Sequence, residues 1–356
     1  MKASEIISKV LLSPIALIYG TGLSIRKLLY KTGLLNSVEF SVPVISVGNL
    51  SMGGAGKTPH IEFLVRYFKQ YLKVATLSRG YKRKSKGFRL IRYTDPVALS
   101  GDEPLQFKRK FPDVLVAVGE ERTLAIPKII MVQPTTQLIL LDDAFQHLAV
   151  KPGLNILLTQ YNKPFTRDFL LPSGRLREAR SGYKRADLMI VTKCPKTISL
   201  EEKEQLIKEL KPLPHQQLFF SYYEYLPIYN LFNPQQRYRL HDELEVLLIC
   251  AIANTDYLMD YLADEVYGVT GMEFLDHHFF TDADMDKLKV LFDQIDNPGK
   301  LVLTTEKDAV RLEAFRPFFQ QHNIPVFVLP IEVRFHFNEE EAFLEAVKAF
   351  MLDFKV

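Results

Sequence analysis

Between residues 44 and 60 the chain reads VISVGNLSMGGAGKTPH: an apolar run, a glycine cluster, then Lys57 and Thr58. The general phosphate-binding loop is G-x-x-x-x-G-K-[ST], and the window from Ser51 to Thr58 departs from it only at the first glycine. Gly53, Gly54, Ala55 and Gly56 allow backbone N–H groups to close around phosphate oxygens, and the helix that follows adds the partial positive charge of its N-terminus. In such a loop Lys57 reaches the β- and γ-phosphates and the Thr58 hydroxyl holds Mg²⁺. Pro59 is compatible, because the first helical turn tolerates proline.

A magnesium partner belongs at the end of another hydrophobic strand, and LILLDDAFQH supplies Asp142 and Asp143 there. One carboxylate holds the metal. The other orients it or binds a metal-bound water, since Mg²⁺ keeps several waters and takes few protein carboxylates. Dimeric ATPase switches and electron-transfer ATPases carry a second lysine inside the glycine run, where this chain has Met52. Its absence points away from a site completed by a partner subunit and towards a monomeric transfer enzyme.

These groups need a scaffold that brings strand ends together. KVATLSRGY, DVLVAVGE, QLILLDDAF, LNILLT and DLMIVTK are short apolar runs ending in polar residues, and PHIEFLVRYFKQYL has helical spacing. Continuous hydrophobic strands alternating with helices imply a parallel sheet covered on both faces, with ligands at the carboxyl ends of the strands. After about residue 215 the aromatic-rich LFFSYYEYLPIYNLF reads as a hairpin, and a second alternating series follows. The expected fold is α/β: a P-loop NTPase-like parallel-sheet domain at 36–215, a β-hairpin linker and hinge at 216–243, and a smaller α/β domain at 244–356.

A chain of 356 residues with 47% hydrophobic content suffices for two cores. Lys plus Arg (45) against Asp plus Glu (42) leaves a charge of only +3, which gives no nucleic-acid signature. Cys194 and Cys250 stand far apart without metal-ligand spacing, which fits a reducing cytoplasm. The N-terminal VLLSPIALIYGTGLSIRKLLY is apolar, bordered by Lys9, Arg26, Lys27 and Lys31, and interrupted by Pro14, Gly20 and Gly22. It falls short of the roughly 20 residues a span needs, so residues 1–35 are expected to form a membrane-associated interfacial helix. A helix docked in the core is the main alternative. A secretory signal is the other, but no clear A-x-A site follows.

Taken together, VGNLSMGGAGKTP, SRGYKRKSKG, GDEP, LDDAFQH, LPSGRLRE, DHHFF and TEKDAV resemble the tetraacyldisaccharide 4'-kinase family of lipid A biosynthesis, in that family's order from about 40 to 310. The family pattern usually has Thr where this chain has Ala55, and the SRGYKRKSKG segment is more basic than the familiar form. The resemblance implies an ATP- and Mg²⁺-dependent kinase that phosphorylates the 4' hydroxyl of an acylated disaccharide 1-phosphate lipid. It also implies a peripheral position on the cytoplasmic face of the inner membrane; protein partners are left open.

By the same resemblance Asp102, in SGDEP, is the base and pairs with His277 of the second domain. Arg79 or Arg122 contacts the substrate phosphate, with Lys82, Arg83 and Lys84 adding attraction to an anionic surface. Arg177 lies near the substrate and Glu178 near the nucleotide. A base divided between two domains would suppress ATP hydrolysis until both substrates are enclosed. The alternative function is a membrane-peripheral P-loop switch with slow hydrolysis.

Overall fold

The computed structural model describes residues 3–354, with side chains from Leu11 onward. Fifteen strands can be followed among these residues: β1 (Val44–Asn49), β2 (Val74–Ser78), β3 (Arg89–Leu90), β4 (Leu115–Val118), β5 (Leu138–Asp142), β6 (Leu154–Gln160), β7 (Leu188–Thr192), β8 (Gln217–Tyr225), β9 (Ile228–Asn230), β10 (Asn233–Tyr238), β11 (Glu245–Cys250), β12 (Gly268–Glu273), β13 (Lys300–Thr305), β14 (Val326–Leu329) and β15 (Ile331–Phe335). The helices are α1 (Ala3–Lys31), α2 (Lys57–Phe68), α3 (Val97–Ser100), α4 (Asp102–Lys110), α5 (Arg122–Val132), α6 (Leu200–Leu210), α7 (Asp256–Glu265), α8 (Asp282–Asp293), α9 (Glu306–Leu312), α10 (Arg316–Gln321) and α11 (Glu340–Asp353).

The large sheet runs β15-β8-β7-β6-β1-β5-β2-β4-β3. From β8 to β4 every pairing is parallel, and the antiparallel strands β15 and β3 close the edges. β1, β2, β5 and β7 are buried at every position, as continuous hydrophobic runs require when helices cover both faces. One face packs on Ile61 and Leu64 of α2, Leu105 and Phe107 of α4, and Phe343 and Val347 of α11. The other packs on Ile126 and Ile129 of α5 and on Leu206 and Leu210 of α6. β1 therefore lies in mid-sheet between β6 and β5, and its carboxyl end opens into the glycine loop.

The smaller sheet runs β10-β9-β14-β13-β11-β12. Met285 and Leu288 of α8 cover one side, and Leu258 and Leu262 of α7 the other. Helix α9 belongs to both bodies: Ala309 packs in the small core and Val310 in the large one.

The boundaries differ from the expectation in two places. β8, read as part of a linker at 216–243, extends the large sheet by pairing with β7, so only β9 and β10 form the hairpin. β15 and α11, assigned by sequence to the smaller domain at 244–356, return to the large one. There Phe335 stacks on Phe343 at 4.7 Å and both approach Phe63 of α2. Two adjacent crossings thus join the bodies, one at Leu226 and one at Pro330, where the Leu226 N–H donates to the Pro330 carbonyl at 3.0 Å.

Candidate active site

The loop after β1 turns into α2 at Gly56, whose φ of +84° suits glycine. A Cβ there would collide with the Tyr223 hydroxyl of β8. The loop is tethered as well: Thr192 at the end of β7 donates to the Ala55 carbonyl at 2.9 Å. Below it, His60 is buried, and desolvation lowers its pKa to about 4, which keeps the ring neutral. Its Nδ1–H donates to the Gly56 carbonyl at 2.7 Å, and Nε2 accepts from the Ser221 hydroxyl at 2.9 Å. Gly56→Ala is expected to cost at least about 1–2 kcal/mol from the left-handed backbone alone, before the collision is counted. Adding Tyr223→Phe should recover part of the loss in a urea titration, because it removes the obstructing oxygen; no recovery would locate the cost elsewhere.

Lys57 Nζ donates to Asn49 Oδ1 at 3.3 Å and lies 3.7 Å from Asp143 Oδ2. Asn49, the last residue of β1, also accepts at its carbonyl from Gln146 Nε2 at 2.8 Å and from Arg177 Nη2 at 2.9 Å. The two aspartates after β5 then diverge. Asp143, with φ +51°, receives Arg177 in a fork, Nη1 to Oδ2 at 2.8 Å and Nη2 to Oδ1 at 2.7 Å. Burial alone would raise its carboxyl pKa, but Lys57 and Arg177 hold it well below the usual carboxylate range. Asp142 is buried with Oδ1 unpartnered, and desolvation together with the nearby Glu103 carboxylate pushes its pKa up to about 8.

A buried carboxylate oxygen without a partner is the donor a cation would satisfy, and Thr58 opens on the same cleft. Among the described residues no three His, Cys, Asp or Glu side chains cluster as metal ligands. Mg²⁺ takes one or two protein carboxylates and completes its shell with water and phosphate.

The cleft has a volume of about 1180 Å³ and is walled by both bodies and by α1. From the small body, the loop after β12 delivers His277 with φ +62°. His277 Nδ1 is 2.8 Å from Asp102 Oδ2 at the start of α4, and Arg311 Nη1 of α9 donates to the same oxygen at 3.0 Å. Burial would raise the Asp102 pKa, but His277, Lys307 and Arg311 bring it down to about 2. Asp102 is therefore ionised and can only accept, which assigns the proton between them to Nδ1. His277 lines the cleft, and Asp102 stands behind it.

Arg79 is exposed on the cleft and Arg122 is buried in its wall, and neither makes an ion pair among the described residues. Arg122 Nη1 donates to the Glu120 carbonyl at 3.0 Å while Nε has no partner. Burial and the Arg79 charge lower its pKa to about 10. Two guanidinium groups without a direct carboxylate partner among the described residues thus stand at one cleft. Arg177, read as a substrate contact, is committed to Asp143 and Asn49 and braces the aspartate. Glu178 lines the cleft but accepts from Arg185 and Gln146. Arg83, read as surface attraction, is paired with Glu120 of the loop after β4.

Sequence reading passed over Lys307 and Arg311, although their spacing in TEKDAVRL sets them on one helix face. Lys307 Nζ lies 3.3 Å from His277 Nε2 and 3.0 Å from Asp276 Oδ1. Asn49 was missed too, since a lone strand-end asparagine carries no pattern.

A family model described as tetraacyldisaccharide-1-P 4'-kinase matches residues 8–351. The chain belongs to this kinase family. It is similar to a tetraacyldisaccharide 4'-kinase of Phocaeicola vulgatus, 43% identical over 338 residues, covering 93% of this chain and 92% of that protein. It is 44% identical over 317 residues to the same enzyme of Flavobacterium johnsoniae, covering 89% and 91%. A crystal structure of LpxK from Aquifex aeolicus, described as an "apo" form in complex with ATP, matches 96% of this kinase and 99% of its own chain with a TM-score of 0.71 at 27% identity.

Proposed function

We propose that this kinase transfers the γ-phosphoryl group of Mg-ATP to the 4' hydroxyl of a tetraacyl disaccharide 1-phosphate lipid. The observation that carries the reading is the 2.8 Å pair between His277 and Asp102, contributed by separate bodies to the cleft that also holds Lys57 and the two aspartates. His277 Nε2 takes the proton of the acceptor hydroxyl as its oxygen bonds to the γ-phosphorus and ADP leaves. Asp102 fixes the tautomer and stabilises the imidazolium that forms. Mg²⁺, when bound through Asp142 or Asp143 and Thr58, neutralises charge on the phosphates. Lys57 stabilises the charge of the transferred group. Arg79 and Arg122 suit the 1-phosphate of the acceptor, and Glu178 the nucleotide side. The large body serves as the P-loop domain, with the smaller one as a cap carrying the histidine.

The acceptor is an amphiphile, and α1 offers a matching surface. Leu11, Leu17 and Ile18 are each more than 70% exposed, while Arg26, Lys27 and Lys31 stand at the cleft. The Tyr19 hydroxyl donates to the Arg177 carbonyl at 2.9 Å, which ties this helix to the site. Among the described residues no helix is long and apolar enough to cross a membrane. An interfacial seat for α1 on the cytoplasmic face of the inner membrane accounts for both faces of the helix.

ATP turnover should depend on adding the lipid acceptor, and deletion of residues 1–35 should raise the apparent KM for acceptor presented in anionic vesicles. Turnover indifferent to lipid would overturn the kinase reading and favour a nucleotide switch.

A further inference from the structure

The residue after β7, Lys193, has φ +56°, a conformation that non-glycine residues rarely adopt. Its amine lies 4.3 Å from the centroid of the Tyr257 ring on α7 and 3.7 Å from the point where a Cβ on Gly54 would sit. It makes no ion pair among the described residues. Asp256 and Asp276 act on it only at longer range, and burial with the Lys163 charge lowers its pKa to about 8. The preceding residue, Thr192, already holds the neighbouring Ala55 carbonyl. The end of β7 therefore ties the glycine loop down through Thr192 and leaves the Lys193 ammonium beside it.

A ring face is a weak partner for a cation, worth about 0.5–1 kcal/mol at exposed sites and ~2 kcal/mol when desolvated. It also leaves the N–H donors of the ammonium unused. A desolvated cation without a carboxylate is complementary to an anion, and the loop beneath it is built to hold one.

We propose that Lys193 is a second cation of the phosphate loop, its ammonium contacting the polyphosphate of bound nucleotide across Gly54. It supplies from within the same chain the charge that other loops carry at the position of Met52. The inference rests on the kinase reading and adds a nucleotide contact to it.

Lys193→Met keeps the length of the side chain and removes its charge. Binding of Mg-ATP and of inorganic tripolyphosphate, measured by calorimetry without lipid, should weaken for both ligands by about tenfold or more, the loss of one charge-assisted contact. Lys193→Arg should stay within about threefold of the parent, and the acceptor KM should not change. Should Lys193→Met lower the melting transition, Lys193→Gln is read in its place. Parent-like binding of both ligands by the neutral variant overturns the proposal while the parent's own ATP binding leaves the kinase reading standing. Weakened ATP with unchanged tripolyphosphate also overturns it, because the amine would then read the nucleoside. A parent that binds no ATP overturns both readings.

Discussion

Lys57→Ala is expected to lower lipid-dependent phosphoryl transfer by at least about a hundredfold, the loss seen when one preorganised donor to developing transition-state charge is removed. Lys57 stands between Asn49 and Asp143, so the substitution also strips Asp143 of one of the three cations that hold it ionised. Arg177 still grips Asp143 through its fork, and the fold should survive. The decisive measurement is kcat at saturating ATP and acceptor, alongside an unchanged melting transition. Activity within about tenfold of the parent corresponds to a barrier change of only about 1.4 kcal/mol and would remove Lys57 from the chemistry.

The second large effect is expected at the interdomain pair. Asp102→Ala and His277→Ala should each lower kcat by about 10²–10⁴-fold, the range for a positioned general base, with ATP affinity little changed. If the two act as one unit, the double variant should be scarcely slower than the worse single one, because groups that work together are non-additive. Losses that multiply, in a folded double variant, would dissolve the pair and leave His277 a structural histidine. A collapse of ATP affinity in Asp102→Ala with kcat intact would instead make the aspartate a nucleotide or metal contact. Asp102 also accepts from Arg311, so Asp102→Asn, which fits the same space, is the companion variant to read for stability.

What the sequence disclosed follows the range of the forces involved. Runs such as LILLD and VISVGN announce buried parallel strands because both faces are apolar, and the glycine loop announces itself by its spacing. Asp142 and Asp143 were equivalent on paper. Only the fold turns one towards Arg177 and leaves the other buried with an unpartnered oxygen. Arg177 was undetermined for a related reason: a motif arginine does not reveal which carboxylate it meets, and here it meets Asp143. The return of β15 and α11 to the large sheet depends on Phe335 and Phe343 finding Phe63, a contact between segments far apart in the chain that local periodicity does not encode. The family resemblance paired His277 with Asp102, but no pattern within the chain encodes their 2.8 Å approach.

The paired crossings at Leu226 and Pro330 make the small body an insertion between two neighbouring strands rather than a bead on a string. A body hung from one strand can swivel about it freely. One hung from two strands that lie side by side is restricted to swinging about the line through both, as a door does on two pins. Any opening of the cleft then carries His277 along a single arc, and closing returns the imidazole along that arc to the same carboxylate oxygen. A side chain carried on that arc can thus leave and come back in register, without the chain having to search for the alignment afresh each time.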